Sequence, residues 1–236
     1  ATSYRHTAGT IRDTVTFSAS GSGSVLDLRN LTSITNGAAD FDAIAITAST
    51  GGVVDLRNVT QLVDPASGND RYLNITADGA GSRIDFSALT NFNNAAGAAP
   101  IIARNSGVIH VPVLTNLEGA ALVLNGSGTF SLNQITTFID SSITLSNLAY
   151  VFPNLTNAAG TTFGVSGVSS SVSLPLLTSL VNGGIALTSG GTVSVPMLAN
   201  IDGAYFTVAD GVTLSVPLAT SYRHTAGTIR DTVTFS

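Results

Sequence analysis

The stretch SVSLPLLTSLV at residues 171–181 returns one short interval later as TVSVPMLANID at residues 192–202. Each copy reads apolar-x-apolar-x-x-Leu, followed by a further apolar residue three places on. The apolar pair that precedes the leucine alternates with period two, the mark of a strand with one buried face. The steps of three on either side of Leu177 and Leu198 break that alternation and predict a bend. Pro175 and Pro196 stand within the predicted bend, where no ladder N–H is required.

The same phrase can be followed along the whole chain. Its anchor position is held by Leu31, Val59, Leu89, Leu114, Ile135, Leu155, Leu177, Leu198 and Ala219. Five before the anchor stand Leu26, Val54, Ile84, Ile109, Phe130, Tyr150, Val172, Val193 and Leu214; three after it come Ile34, Leu62, Phe92, Leu117, Phe138, Ala158, Leu180, Ile201 and Tyr222. A second apolar pair precedes each phrase, among them Ile44/Ile46, Leu73/Ile75, Leu122/Leu124 and Ile185/Leu187, with Ile101/Ala103 the weakest. Gly-rich turns such as Gly51-Gly52 and Gly190-Gly191 join pair to phrase. Short strands at this spacing, with no helical periodicity between them, predict an all-β chain folded as a right-handed parallel β-helix, or solenoid. Like residues then stack on like, about 4.8 Å apart.

A longer period encloses the short one. ATSYRHTAGTIRDTVTFS at residues 1–18 recurs unchanged at 219–236, an offset of 218 (219 minus 1). About nine coils fill that period, and the spacings between anchors close it with no remainder. Residues 1–218 are therefore read as one solenoid period and 219–236 as the start of the next, identical one. A recent tandem duplication in a longer gene and a deliberate joining both produce such a match. The reading taken is the first, with residue 236 passing in phase into the sequence that begins at Ala19. No capping segment is expected, because the next period serves as the cap.

Composition agrees with a turn-rich β chain. Charged residues make up 10%, there is no cysteine, and the only glutamate is Glu118. A net charge of −5 argues against a nucleic-acid partner. No apolar run is long enough to span a membrane.

The coils differ in their connecting arms. Four are long: Arg5–Thr14, Thr35–Ala43, Val63–Tyr72 and Asn93–Pro100. Stacked, they are expected to form a ridge, and Arg5, Arg12, Asp40, Asp42, Asp64 and Asp70 are the residues expected to make lateral contact there. Asp27, Asp55 and Asp85 form an outward row on the strand before the bend, with Arg29 and Arg57 beside the first two. Such a row serves as an acidic cleft in pectinolytic β-helix enzymes; the preferred reading here is an Asp–Arg ladder between coils. Residues 64–70, with Asp40 and Asp42, offer oxygen ligands suited to calcium. They lack the spacing of an EF-hand and read better as solvated turn residues. The Thr file beginning Thr32, Thr60, Thr90 and Thr115 is expected to bond the backbone of the neighbouring coil. Asn91, Asn116, Asn157 and Asn200 are expected to form an asparagine ladder in the turns. His6, His110 and His224 have no second histidine at ligand spacing and read as surface residues. No catalytic, cofactor-binding or metal site is assigned, and no enzyme activity is expected.

The Leu-Thr and Val-Pro-x-Leu phrases resemble those of large bacterial cell-surface β-helix proteins of the adhesin and fibre class. The resemblance implies secretion and display outside the cell. The expected role is a structural subunit of an extracellular fibre, sheath or stalk, partnered by further copies of itself in tandem and laterally. A glycan- or surface-binding adhesin is the alternative, weakened by the few aromatics on the arms (Tyr4, Phe41, Tyr72 and Phe92). A polysaccharide lyase or hydrolase is a third reading.

Overall fold

The computed structural model describes residues 2–7, 13–66, 71–95, 97, 99–124 and 127–224. Every regular element among them is a strand, and every strand pairing is parallel. The chain is a β-solenoid, as the phrase predicts. It divides into two units, Ala1–Ser131 and Leu132–Ser236, described in turn.

In the first unit each coil has three sides. The longest sheet runs through Thr14–Ser20, Ala43–Ser49, Tyr72–Asp78, Ala99–Arg104 and Ala120–Leu124. The strand before the bend is Val25–Asp27, Val53–Asp55, Arg83–Asp85, Val108–His110 and Thr129–Phe130. The strand after it is Ser3–Arg5, Ser33–Thr35, Gln61–Asp64, Asn91–Asn94 and Asn116–Glu118. Registers on the last two sides follow the sequence columns: Leu26 pairs with Val54 and Val54 with Ile84, while Tyr4 pairs with Ile34 and Ile34 with Leu62.

The long sheet departs from the expected columns at one step between coils. Ile101 pairs with Ile75 and Leu122, so Ala103 falls opposite Ala77, not Ile75. Ile101/Ala103 stacks on Leu122/Leu124 as the sequence suggests, and the two-residue shift falls between this coil and the one before it, where Ile101/Ala103 meets Ile75/Ala77. Ala19, Ala48, Ala77 and Ala103 form a buried file near the end of their strands, which continues into the buried Leu124 of the next coil.

The second unit repeats the scheme with shorter strands. Its long sheet holds Ser142–Ser146, Thr162–Ser166, Gly184–Thr188 and Tyr205–Val208, and the strand before the bend Ala149–Val151, Ser171–Ser173 and Thr192–Ser194. After the bend, pairing is reduced to single bridges, Thr137 with Asn157 and Ser179 with Asn200. Phe138, Phe152 and Phe163 come from the three sides and meet in the interior, their ring centroids 6.1–6.2 Å apart. All three are fully buried.

The bend is a β-turn. The anchor amide donates to the carbonyl three residues earlier, from Leu31 to Leu28 at 2.9 Å through Leu198 to Val195 at 3.2 Å. Proline at 112, 153, 175 and 196 therefore occupies the second turn position, for which its fixed φ is suited. Turns closed on all sides number about seven, against nine phrases. The phrase around Ala219 keeps the turn bond, to Val216 at 3.3 Å, but forms no strand.

The two copies of the repeated segment meet different neighbours. In the first, Ser3–Arg5 pairs forward with Ser33–Thr35. In the second, the carbonyl of Arg223 accepts from the amide of Gly203 at 2.8 Å. Residues 225–236 lie outside the described residues.

Candidate functional site

The outward face before the bend carries the acidic row. Asp27, Asp55, Asp85 and His110 lie side by side in successive strands. Each carboxylate is matched within its own coil, not between coils as expected. Arg29 Nη2 donates to Asp27 Oδ2 at 2.6 Å and its Nε to both oxygens at 2.9 Å. Arg57 grips Asp55 in the same fork, with Nε at 2.8 Å from Oδ1. Asp85 is met by Arg83 Nη2 at 3.1 Å and by the Ser87 amide at 3.0 Å. Arg83 and Asp85 share one face of their strand at spacing i, i+2, whereas Arg29 and Arg57 reach back from the second position of the following turn. The Arg29 bonds hold Asp27 at about 2, and those of Arg57 lower Asp55 likewise. Burial raises Asp85, but the Ser87 hydroxyl and Arg83 outweigh it and the net shift is downward. The row is a file of ionised carboxylates, each carrying its own cation.

The arm residues separate into two groups. Arg5 is exposed and Asp40 half-buried; Arg12 and Asp70 lie outside the described residues. Asp42 and Asp64, expected on the outer ridge, are fully buried. Their burial has a local cause. Five places after the anchor, the long-arm coils carry His6, Asn36, Asp64 and Asn94, and the register stacks them: Arg5 pairs with Thr35 next to His6 and Asn36, and Asp64 pairs with Asn94. These side chains turn inward and bond the arms, leaving none of them available to an outside partner. In the other coils the same position is Gly119, Asp140, Gly160, Asn182 or Gly203, all at φ between 48° and 69°. A left-handed residue there reverses the chain at once and gives the short arm.

The file is continuous. Asn36 Nδ2 donates to the carbonyl of Asp42 and to Asp64 Oδ1, both at 3.0 Å. Asn94 Oδ1 accepts from the amide of Leu73 at 3.2 Å. Arg71, fully buried, donates from Nη1 to the carbonyl of Gly37 at 2.8 Å and stands 3.9 Å from Asp64. Asp42 Oδ1, Asp64 Oδ2 and Arg71 Nε and Nη2 have no hydrogen-bond partner. Burial raises the Asp64 carboxyl, and the Arg71 charge and the Asn36 bond only partly offset it. His6, read from the sequence as a surface residue, is 4% exposed. The file was readable as a column of His, Asn and Asp at one fixed offset; that offset fell within arms expected to be solvated.

Elsewhere the polar files do what the geometry of a stack asks. Thr32, Thr60, Thr90 and Thr115 donate their hydroxyls to the carbonyls of Thr2, Thr32, Thr60 and Thr90, at 2.8–3.3 Å. Of the expected asparagine column, Asn91 and Asn116 lie side by side in register, while Asn58 and Asn154, just before the anchor, reach the carbonyls of Arg29 and Asn133 at 2.7 Å. Asn157 and Asn200 instead cap their own turns, accepting from Ala159 and Asp202. Of the arm aromatics, Phe92 is core and Tyr4 packs edge-on against Phe17 at 5.0 Å. Among the described residues no group of three His, Cys, Asp or Glu is arranged to hold a metal ion, and no helix is long and apolar enough to cross a membrane.

In comparisons with known proteins, the chain matches no family model, no curated protein and no solved structure.

Proposed function

We propose that the chain is a segment of an extracellular structural array, a fibre, sheath or stalk in which identical solenoid periods follow one another covalently. The observation that carries this reading is the bond from the Gly203 amide to the Arg223 carbonyl. It repeats the bond from Asn36 to Val63, from Gly160 to Val181 and from Asn182 to Asp202, all between 2.8 and 2.9 Å. Arg223 is the copy of Arg5, so the second copy enters the stack at the rung position that the first copy holds. A stack that continues this way needs no lid, because each period covers the open ladder of the one before it.

The surface supports a scaffolding role. Its ordered charge is spent on partners within a coil, as in Asp27 with Arg29, or in the adjacent coil, as where Arg104 Nε donates to Asp78 Oδ2 at 2.8 Å. Its outward Thr file bonds backbone. Exposed apolar residues just before the anchor, Leu176, Met197 and Leu218, line up on successive coils of the second unit and suit lateral packing. Among the described residues, Arg5 and Asp40 are the accessible members of the proposed contact ridge. The test is electron microscopy of the native surface labelled with an antibody to this chain. Filaments labelled at a repeat of about 43 Å, nine strand spacings of about 4.8 Å, support the reading. Label confined to dispersed single particles contradicts it.

A further inference from the structure

His6 sits where two sides of the first coil come together. Its Nδ1 faces Asn36 Oδ1 at 3.1 Å and its Nε2 faces Asp13 Oδ2 at 3.2 Å. The orientation of the Asn36 amide is fixed independently: its Nδ2 lies 3.0 Å from the backbone carbonyl of Asp42, which can only accept. Oδ1 is therefore the atom turned to His6, and Nδ1 must donate. The Asp13 carboxylate likewise accepts, so Nε2 must donate as well. Only the imidazolium donates from both nitrogens.

We infer that His6 is held as the imidazolium and acts as a proton-operated latch, fastening the Asp13 end of the first arm to the Asn36 rung. Asp13 is the residue through which the arm joins the long sheet, its carbonyl accepting from the Ala43 amide at 2.8 Å. His6 itself continues the strand after the bend, its amide donating to Thr35 at 2.9 Å. One charged ring thus ties the strand that leaves the bend to the strand that starts the next side. The groups around it agree in sign. Asp13 lies on one nitrogen, and Asp42 contributes a second negative charge from the neighbouring arm. Asp64 stands beyond Asn36, with Arg71 3.9 Å behind it. Burial opposes the charge on His6, but the Asn36 and Asp13 bonds and the two carboxylates outweigh it, raising the ring above its usual value of 6.5. The latch is accordingly closed below pH 6.5 and opens as pH rises through the raised value. Loss of the proton leaves one nitrogen facing an acceptor with nothing to donate.

Because His224 and Asp231 repeat His6 and Asp13 in the second copy, the array reading places one latch at every period boundary. That extension rests on the proposed function; the latch within this chain does not. The test is imidazole nitrogen NMR on the 236-residue chain from pH 5 to 9, with His110→Asn and His224→Asn variants used to assign His6. We expect both His6 nitrogens to stay protonated above pH 6.5. Asp13→Asn, which keeps an acceptor but removes the charge, is expected to move the midpoint down. Hydrogen exchange of the Ala43 amide, corrected for the intrinsic pH effect, is expected to quicken across the same midpoint in the wild-type chain but not in His6→Asn. A His6 ring with one unprotonated nitrogen at or below pH 6.5 overturns the inference. So does a midpoint unmoved by Asp13→Asn, or Ala43 exchange that ignores the titration.

Discussion

The amide of Gly203 lies 2.8 Å from the carbonyl of Arg223, as the amide of Asn36 lies 2.8 Å from that of Val63. One bond joins a coil to the coil above it within the period; the other joins the last coil of the period to the start of the repeated segment. The same local geometry serves both, because the residues that make it are backbone atoms at one fixed offset from the anchor.

The interior sets the first prediction. Phe152 touches both Phe138 and Phe163, and all three rings are fully buried. Phe152→Ala removes the ring that closes the triangle and is expected to cost about 3–5 kcal/mol, read as a lower midpoint in denaturant. A loss below about 1 kcal/mol would mean the coils collapse around the gap.

The short arms depend on a left-handed residue at one place. Gly119 has φ 67°, and a Cβ there would run into the carbonyl oxygen of Asn94. Gly119→Ala is expected to destabilise by about 1–3 kcal/mol. Asn182, at φ 57° in the equivalent position, tolerates that conformation as asparagine often does, so Asn182→Gly should change stability far less. Equal effects from the two changes would contradict this.

Acid weakens the outward row. Asp27 is held at about 2 and Asp55 is lowered, both chiefly by the adjoining arginine. A carboxyl lowered in the fold adds stability above its unfolded value of about 3.9, and that gain disappears as pH falls through the lowered value. Thermal unfolding should therefore move to lower temperature between about pH 4 and pH 2. The double change Arg29→Gln and Arg57→Gln is expected to flatten that part of the curve; an unchanged slope would show that these pairs contribute nothing.

The buried file behaves with the opposite sign. Asp64 is raised by burial, with Arg71 the nearest compensating charge. Arg71→Met removes that charge and leaves the carboxylate without it. The variant should hold its stability in acid and lose it as pH rises from about 4, seen as a denaturant midpoint that falls toward neutral pH more steeply than in the wild type. Parallel curves would rule this out.

The sequence made some of this legible and not the rest. Columns such as Val54/Ile84/Ile109 could be read because a dry interior admits only apolar side chains, and period two then fixes the face. The two-residue shift between Leu73/Ile75 and Ile101/Ala103 could not, because Ala77 and Ala103 are small apolar residues that fit either column. The polar file was hidden for a different reason. His6, Asn36, Asp64 and Asn94 are residue types that favour exposed turns, so their identity did not mark them as interior. The i, i+2 pairing of Asp27 with Arg29 was visible in the spacing, but which coil each arginine served depended on the fork geometry of its side chain.

The central claim is that the repeated segment begins a new period in the same stack. The most direct measurement compares the 236-residue chain with one lengthened by a further 218 residues of the same period, using small-angle scattering to obtain length and cross-section. The account predicts that the longest dimension grows by about 43 Å while the cross-section stays constant. A longer chain with a wider cross-section, or one that scatters as two bodies free to move, would contradict it.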